Sequence, residues 1–363
     1  MAGIDVEFSL ALHDKTGKYF IGRDLIAANA DRIVRQLYWR SASPAPPGGL
    51  TARVIGRLLA IEVAARVKSR VFARVAPRLR PPRPVLHMDP FMVLLHRLRA
   101  GDIVLCHDIG PLTHPDLFAA PVVAAYHKAY AEIAAAAPHM VFVSRASQVA
   151  FHARHGDAFS SSRVICPAIR VEVGEGPRTP VTGVGSRYLL TVGSVGARKN
   201  QARAIEAFAR SGLASEGFEY VLCGGREPGF EAVAQSAQRT PGVRLLDYQD
   251  DGRLNWLYDH AAGFVLPSLL EGFGLPVAEA AARGLVPIVS AGGVLEEVAG
   301  ASALAVDPLD ADAIAAAMRQ LAVMPPDETG DRRQALARAV ARFSSDAFAR
   351  GWREAIDEAL ASG

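Results

Sequence analysis

Two corners of the sequence set charged side chains beside glycines in a way that suits an anionic, hydroxyl-rich ligand. The first is Gly193-Ser194-Val195-Gly196-Ala197-Arg198-Lys199-Asn200, which follows an apolar run at 188–192 and precedes a helical run ending near Gly212. A strand that passes through glycines into a helix start presents unpaired backbone N–H groups and a partial positive charge; Arg198 and Lys199 add two full charges, a combination suited to a diphosphate. Asn200 fits the N-cap of that helix and Gly212 its stop. The second corner is the run PSLLEGFGLPVAEA at 267–280. Pro276 fits the first helical position, which leaves Gly272, Phe273, Gly274 and Leu275 as a loop whose amides point out of the helix start. Glu271 before that loop and Glu279 early in the helix flank one crevice. A carboxylate accepts two hydroxyl hydrogen bonds at once, which is what the diol of a ribose or hexose offers. The plainer alternatives are solvated loop charges for Arg198, Lys199 and Glu271, and helix-dipole compensation for Glu279.

Elements that would hold these corners follow from the pattern of apolar runs. Strands are expected over 188–192, 219–223, 243–246, 263–266, 286–290 and 303–306, with helices over 202–210, 254–261, 276–283 and 311–321. Strands that are nearly all apolar and alternate with helices imply a parallel sheet covered on both faces. The first half repeats the rhythm less cleanly, with strands expected over 6–11, 85–88, 103–106, 140–143 and 164–166 and a long insertion between the first two. Glycine, proline and threonine between 174 and 185 mark a linker. The expected organisation is an N-terminal Rossmann-like domain over 1–175, a C-terminal one over 176–345, and a helix over 346–363 packing on one or both, with Phe348, Trp352 and Ile356 at four-residue spacing.

Composition excludes several classes. The 363 residues are half hydrophobic and 21% charged, which argues against disorder. The net charge of +3 is too small for nucleic-acid binding over the whole molecule. Cys106, Cys166 and Cys223 lie far apart without C-x-x-C spacing, which fits a reducing, cytosolic setting. No secretory signal and no run of about 20 apolar residues is visible. G-x-G-x-x-G is missing after the 188–192 strand and no P-loop motif occurs, so NAD and P-loop readings are weak.

The Gly-x5-Lys-Asn corner, PSLLEGFGLPVAEA and the later Leu295-Glu296-Glu297-Val298 together resemble the C-terminal half of the family 4 glycosyltransferases, retaining enzymes of the GT-B fold; the match runs over about 186–325. The resemblance implies that Lys199 and a nearby arginine hold the donor diphosphate, that Glu271 lies by the donor sugar, and that Glu279 binds the ribose. Many members carry an arginine directly after the first glycine, where this chain has Ser194, so Arg198 becomes the substitute. In the first half, Asp102-Ile103-Val104-Leu105-Cys106-His107-Asp108, then His114-Pro115, then Val141-Phe142-Val143-Ser144, resemble the family's strand ending in His-Asp and its later strand ending in Ser. His107 would then touch the hexose and the transition state across a cleft, with Asp108 and Ser144 on the acceptor or sugar side. A histidine capping a strand end is the ordinary reading of His107, and Ser144 fits a helix N-cap equally well. Lys15-Thr16-Gly17-Lys18 resembles a glycine loop of the family but lacks a second glycine, and receives no role.

The resulting expectation is a metal-independent hexosyltransferase using His107, Lys199 and Glu271 in catalysis. Gly193, Arg198, Lys199, Glu271, Gly272, Phe273, Gly274, Leu275 and Glu279 would bind the donor. The one D-x-D triplet, Asp310-Ala311-Asp312, reads as a helix cap, so no metal or cofactor is expected beyond the nucleotide-sugar co-substrate. GDP-mannose is favoured as donor, and a saccharide or lipid-linked saccharide in surface polysaccharide or O-antigen synthesis as acceptor. The rivals are a degenerate, non-catalytic glycosyltransferase and a sugar-nucleotide epimerase of the same fold. Residues 51–83 carry nine basic residues against one acid, Glu62, interleaved with apolar ones. That pattern fits either a basic amphipathic helix at the anionic cytoplasmic face of a membrane or a solvated helix packed on its own domain. With one aromatic, the segment offers no stacking platform for nucleic acid.

Overall fold

The structure, a computed structural model, describes residues 3–12, 17–169 and 176–362. The chain divides into two compact units, one of Met1–Ala168 with Ser345–Gly363 and one of Ile169–Ser344. Part of the segment read as a linker, 174–175, lies outside the described residues, as do Lys15 and Thr16.

Among the described residues the second unit is a parallel sheet built from β8 (Tyr188–Val192), β9 (Glu219–Cys223), β10 (Val243–Leu246), β11 (Gly263–Leu266), β12 (Pro287–Ser290) and β13 (Leu304–Val306), in the order β10-β9-β8-β11-β12-β13. Helices α7 (Gln201–Ser211), α8 (Phe230–Arg239), α9 (Asp251–His260), α10 (Leu275–Ala282), α11 (Val294–Ala299), α12 (Ala311–Ala322) and α13 (Pro326–Val340) alternate with the strands. β8, β11 and β12 are buried along their whole length, as strands covered on both faces must be. The strand order reverses between β8 and β11, and ligands of such sheets sit at the carboxyl ends of the strands that flank this point. The two sequence corners lie there.

In the first unit β1 (Ile4–Glu7), β2 (Ile33–Tyr38), β3 (Ser41–Ser43), β4 (Val85–His87), β5 (Ile103–Cys106), β6 (His139–Phe142) and β7 (Ser161–Val164) pair in the order β3-β2-β1-β4-β5-β6-β7, parallel except for β3. Its helices are α1 (Gly17–Ala28), α2 (Gly49–Lys68), α3 (Arg70–Val75), α4 (Gly110–Thr113), α5 (Ala120–Ala136), α6 (Arg145–His155) and α14 (Ser345–Ala361). The terminal helix α14 buries Phe348, Trp352 and Ile356 and ties to the rest of this unit through Arg163–Glu358 at 2.8 Å and Arg353–Asp31 at 2.9 Å.

Three expectations shift here. β1 begins at Ile4 and ends at Glu7, earlier than the expected 6–11, because Ser9 turns the chain by donating its N–H and its hydroxyl to the Glu7 carboxylate. β2 was not anticipated: Arg35 interrupts its apolar pattern, and it is accommodated by pairing with Asp5 of β1 at 2.5 Å. β7 spans Ser161–Val164, where the apolar pattern pointed to 164–166.

The insertion is the largest departure. α2 turns Gly56, Leu59, Glu62 and Arg66 inward. The Glu62 carboxylate accepts from Trp39 Nε1 at 2.8 Å, from Arg40 and from the fully buried Arg66. Burial works against this carboxylate, but the hydrogen bonds from Arg40, Arg66 and Trp39 hold it down to about 2. Thus Arg66 belongs to the interior and not to a solvated basic face. Glu62→Ala strands the Arg66 charge and is expected to destabilise the first unit by about 3–5 kcal/mol. Replacing the pair by Leu and Met should recover most of that loss in urea unfolding; equal destabilisation of both variants would contradict this account.

Candidate functional site

At the end of β8 the chain leaves the sheet through Gly193, whose φ of +132° suits glycine. It packs so closely on Gly224, at the end of β9, that a Cβ on Gly224 would stand 1.9 Å from the Gly193 carbonyl oxygen. The two loops are stitched by Val195 N–H to the Gly225 carbonyl at 2.7 Å, Glu227 N–H to Val195 at 3.0 Å and Ala197 N–H to Pro228 at 2.9 Å. This positions Glu227, which the sequence reading passed over. Ser194 Oγ donates to Glu227 at 2.7 Å, and Arg198 reaches the same carboxylate at 3.3 Å. The signal was present as the Gly224-Gly225-Arg226-Glu227-Pro228-Gly229 loop.

The side chains of Lys199 and Glu271 are only 6% and 7% exposed and meet at 2.5 Å, joining the β8 and β11 corners. Ser268 Oγ donates to the same Glu271 oxygen at 2.8 Å, and Arg198 lies 3.4 Å from the other. Burial alone would raise the Glu271 carboxyl; the Lys199 and Arg198 charges overcome it and hold the group below the usual carboxylate range. It is therefore a charged acceptor at neutral pH and not a proton donor.

α10 starts at Leu275, so Pro276 is second in the helix, one position later than read, and Gly274 caps it at φ +93°. A Cβ on Gly274 would press to 2.3 Å on Leu295, so the glycine also lets α11 pack beneath the loop. Phe273 is buried with its ring edge-on to Phe343, centroids 4.9 Å apart, so its contribution to a ligand is backbone. Glu279 is buried and accepts from Tyr258 OH at 3.2 Å. Asn200 holds the N-cap position of α7 as read, but it is left-handed at φ +59°, makes no side-chain cap bond, and donates its amide to the carbonyls of Pro267 and Pro308 at 3.0 and 2.7 Å. It clamps the loops after β11 and β13. Asp310 caps α12 by accepting from the N–H groups of Asp312 and Ala313, and Asp312 pairs with Arg210 at 2.8 Å.

In the first unit the order reverses between β1 and β4, and a polar crescent occupies that point. Asp89 accepts from Lys18 at 2.6 Å and from Tyr126 OH at 2.8 Å. Burial opposes the Asp89 charge, but the adjacent Lys18 ammonium holds the carboxyl below its ordinary value. His107 is buried, and burial, reinforced by the Lys18 charge, lowers it to about 4, so the ring is neutral. Its Nε2 faces the Met88 carbonyl at 2.9 Å; a carbonyl only accepts, so Nε2 carries the proton and Nδ1 is the ring's acceptor. Asp108 accepts from Gly110 N–H at 2.8 Å and caps the α4 turn. Ser144 is the N-cap of α6, accepting from Ser147 N–H at 3.1 Å, so its hydroxyl is taken up by the helix. Asp89 and Tyr126 were missed, and Lys18 was named without a role, because three separate segments supply them.

Glu7, fully buried at the end of β1, completes the crescent; burial pushes its carboxyl up to about 8 against two hydrogen bonds from Ser9. The native group thus keeps a proton that the unfolded chain releases near 4.5, and stability falls as pH rises through that window. Glu7→Gln should match the parent near pH 5 and melt higher by about pH 9. A melting difference independent of pH would show that Glu7 is not protonated in the fold.

Residues 179–343 match the family described as Glycosyl transferases group 1. The chain is 28% identical over 260 residues to O-antigen chain mannosyltransferase B of Escherichia coli, covering 68% of each. Among solved structures it resembles Anabaena HepE in complex with UDP and glucose, at 15% identity and TM-score 0.69 over 98% of this chain and 100% of that one. It also resembles a UDP-forming α,α-trehalose-phosphate synthase from Burkholderia vietnamiensis, at 15% identity and TM-score 0.66 over 100% of both. At these identities the structural likeness bears on fold.

Proposed function

We propose that the chain, whose residues 179–343 match the glycosyl transferases group 1 and which shares the GT-B fold, acts as a retaining, family 4 hexosyltransferase on a nucleoside diphosphate sugar. The observation that carries this reading is the buried Lys199–Glu271 pair at the carboxyl ends of β8 and β11, with Glu279 on the adjoining helix. Departure of the leaving group builds negative charge on a diphosphate. Arg198, Lys199 and the amides at the start of α10 are cations and dipoles already fixed where such charge would grow. Glu271, kept ionised, accepts hydroxyls of the donor sugar, and Glu279 accepts those of the ribose. The anomeric carbon loses its bond to the diphosphate oxygen and gains one to the acceptor oxygen on the same face, and the acceptor's proton passes to the departing diphosphate.

The first unit is assigned the acceptor, with His107 Nδ1 and the Asp89 carboxylate accepting sugar hydroxyls. Side chains, and no metal or other cofactor, handle the charge: both carboxylates of the D-x-D triplet are engaged, one as a helix cap and the other with Arg210. Mannose from GDP-mannose is favoured as the donor sugar, supported by the name of the E. coli relative. The same name supports a growing surface polysaccharide such as O-antigen, free or lipid-linked, as acceptor, which would place the reaction in the cytoplasm beside a membrane.

A thermal-shift panel of GDP, UDP, ADP, CDP and their sugar conjugates tests the donor site without an acceptor. One diphosphate is expected to add about 2.7 kcal/mol of stability at 100-fold its dissociation constant. Lys199→Ala should abolish that shift, and Glu279→Gln should weaken binding by roughly ten- to a hundredfold. Unchanged sugar transfer by Lys199→Ala would sink the site assignment. Silence toward every nucleotide would favour the non-catalytic reading, to which Ser194 already lends itself, and isomerised sugar nucleotide without transfer would favour an epimerase.

A further inference from the structure

The insertion buries an ion pair beside Leu59 and leaves a second set of large apolar side chains in water. α2 turns the Glu62–Arg66 ion pair toward the protein and leaves Leu50, Val54, Leu58 and Ile61 on its outer face. Their spacing of four, four and three residues makes them one stripe. Leu50 is 74% exposed and Ile61 58%, while on α3 Val71 and Val75 are 71% and 72% exposed. Leu58 and Ile61 of α2 and Phe72 and Val75 of α3 line one groove of about 410 Å³, so the two outer faces are continuous. Monomeric proteins seldom leave an apolar patch of this kind open to water unless something docks on it.

Charge decides what docks. Glu62 is the one acid among residues 51–83; it lies at the floor of the groove, 8% exposed and paired with Arg40 and Arg66, so the segment presents no free negative side chain. Of the nine basic residues Arg66 is buried, Arg78 is paired with Glu132 at 2.6 Å, and Arg83 lies 3.9 Å from Asp5. The other six, Arg53, Arg57, Lys68, Arg70, Arg74 and Arg80, are exposed, and none forms an ion pair among the described residues. Arg53 and Arg57 run along the edge of the α2 stripe, and Arg70 and Arg74 repeat the arrangement on α3. A second copy of this surface would set arginines against arginines. Nucleic acid would leave the valines and leucines uncovered. No helix among the described residues is long and apolar enough to cross a membrane.

We propose that α2 and α3 form an interfacial docking surface for an anionic lipid bilayer. The apolar stripe sinks to the acyl boundary, and the arginines, their stems lying along it, meet the headgroup phosphates. The surface stands apart from the Lys199–Glu271 site in the chain and does not depend on sugar transfer.

Sedimentation with vesicles of phosphatidylglycerol and phosphatidylethanolamine tests it, with phosphatidylcholine vesicles as the neutral comparison. The protein is expected to pellet with the anionic vesicles and to be released by salt. Arg70→Ala with Arg74→Ala should weaken partitioning by roughly 20-fold at low salt. Val71→Asp with Val75→Asp, and separately Leu50→Asp with Ile61→Asp, should abolish it while leaving the melting temperature unchanged, because these side chains are already in water. Absence of pelleting, or pelleting indifferent to the Asp variants, would overturn the proposal. So would a dimeric parent whose Asp variants are monomers, which would make a second copy the occupant. The nucleotide thermal shift reads the other unit, so a failure of the donor assignment and a failure of this one are told apart.

Discussion

The buried contact between Lys199 and Glu271 is the interaction on which the arrangement of the second unit turns. Neither ion is tolerable alone in a site this dry: an unpaired buried ammonium or carboxylate costs several kcal/mol, and only a close partner with further hydrogen bonds offsets it. The loops after β8 and β11 must therefore arrive together, within 2.5 Å at the charged tips. Neighbouring contacts serve that requirement. Asn200 accepts a left-handed backbone so that its amide can hold the Pro267 and Pro308 carbonyls, and Ser268 supplies a second donor to the Glu271 oxygen that Lys199 touches. Gly224 lets its backbone approach that of Gly193 to a distance that no side chain would permit.

A pair held this way is a poor investment if stability were its purpose, since apolar groups of similar volume commonly do as well or better. Its value lies in holding charge ready. Under the proposed donor-site assignment, Glu271 keeps Lys199 in place before any ligand arrives, and a phosphate would share the ammonium without reorganising it. Arg198 is likewise divided between Glu227 and Glu271. Two cations balanced by two carboxylates bring little net charge, so recognition of an anion rests on direction and desolvation more than on long-range attraction. Ser194 fits that picture, because its hydroxyl orients the Glu227 that helps hold Arg198.

How much of this was legible depends on where each charge sits. The second unit could be read almost strand by strand, because its buried segments are continuous apolar runs and its charged residues fall in the loops between them. Lys199, Glu271 and Glu279 stood out for the same reason. The first unit hid its structure by burying polar groups inside its elements: Asp5 and Arg35 face each other across β1 and β2, Glu7 ends β1 with a proton retained, and Arg66 lies inside a helix that reads as solvated. Periodicity counts such residues as exposed. The Lys18–Asp89–Tyr126 contact was beyond reach for another reason, since its members lie 71 and 37 residues apart and meet only once the sheet has formed.

The same inversion explains why the insertion could be recognised as basic and amphipathic yet not oriented. An ordinary surface helix gains stability by burying its apolar stripe, and the arithmetic of burial would turn Leu50, Val54, Leu58 and Ile61 inward. In α2 the inward positions are shared by Leu59, with Val63 and Val67 beside it, and by Glu62 and Arg66, which Trp39, Arg40 and the Pro77 carbonyl satisfy. Once that network and Leu59 fill the inner face, Leu50, Val54, Leu58 and Ile61 are left facing out. A chain that retains such an arrangement forgoes burial of several large side chains on folding, and recovers it only against an apolar phase outside itself. The polar network inside α2 and the exposed stripe are thus two consequences of one choice of facing.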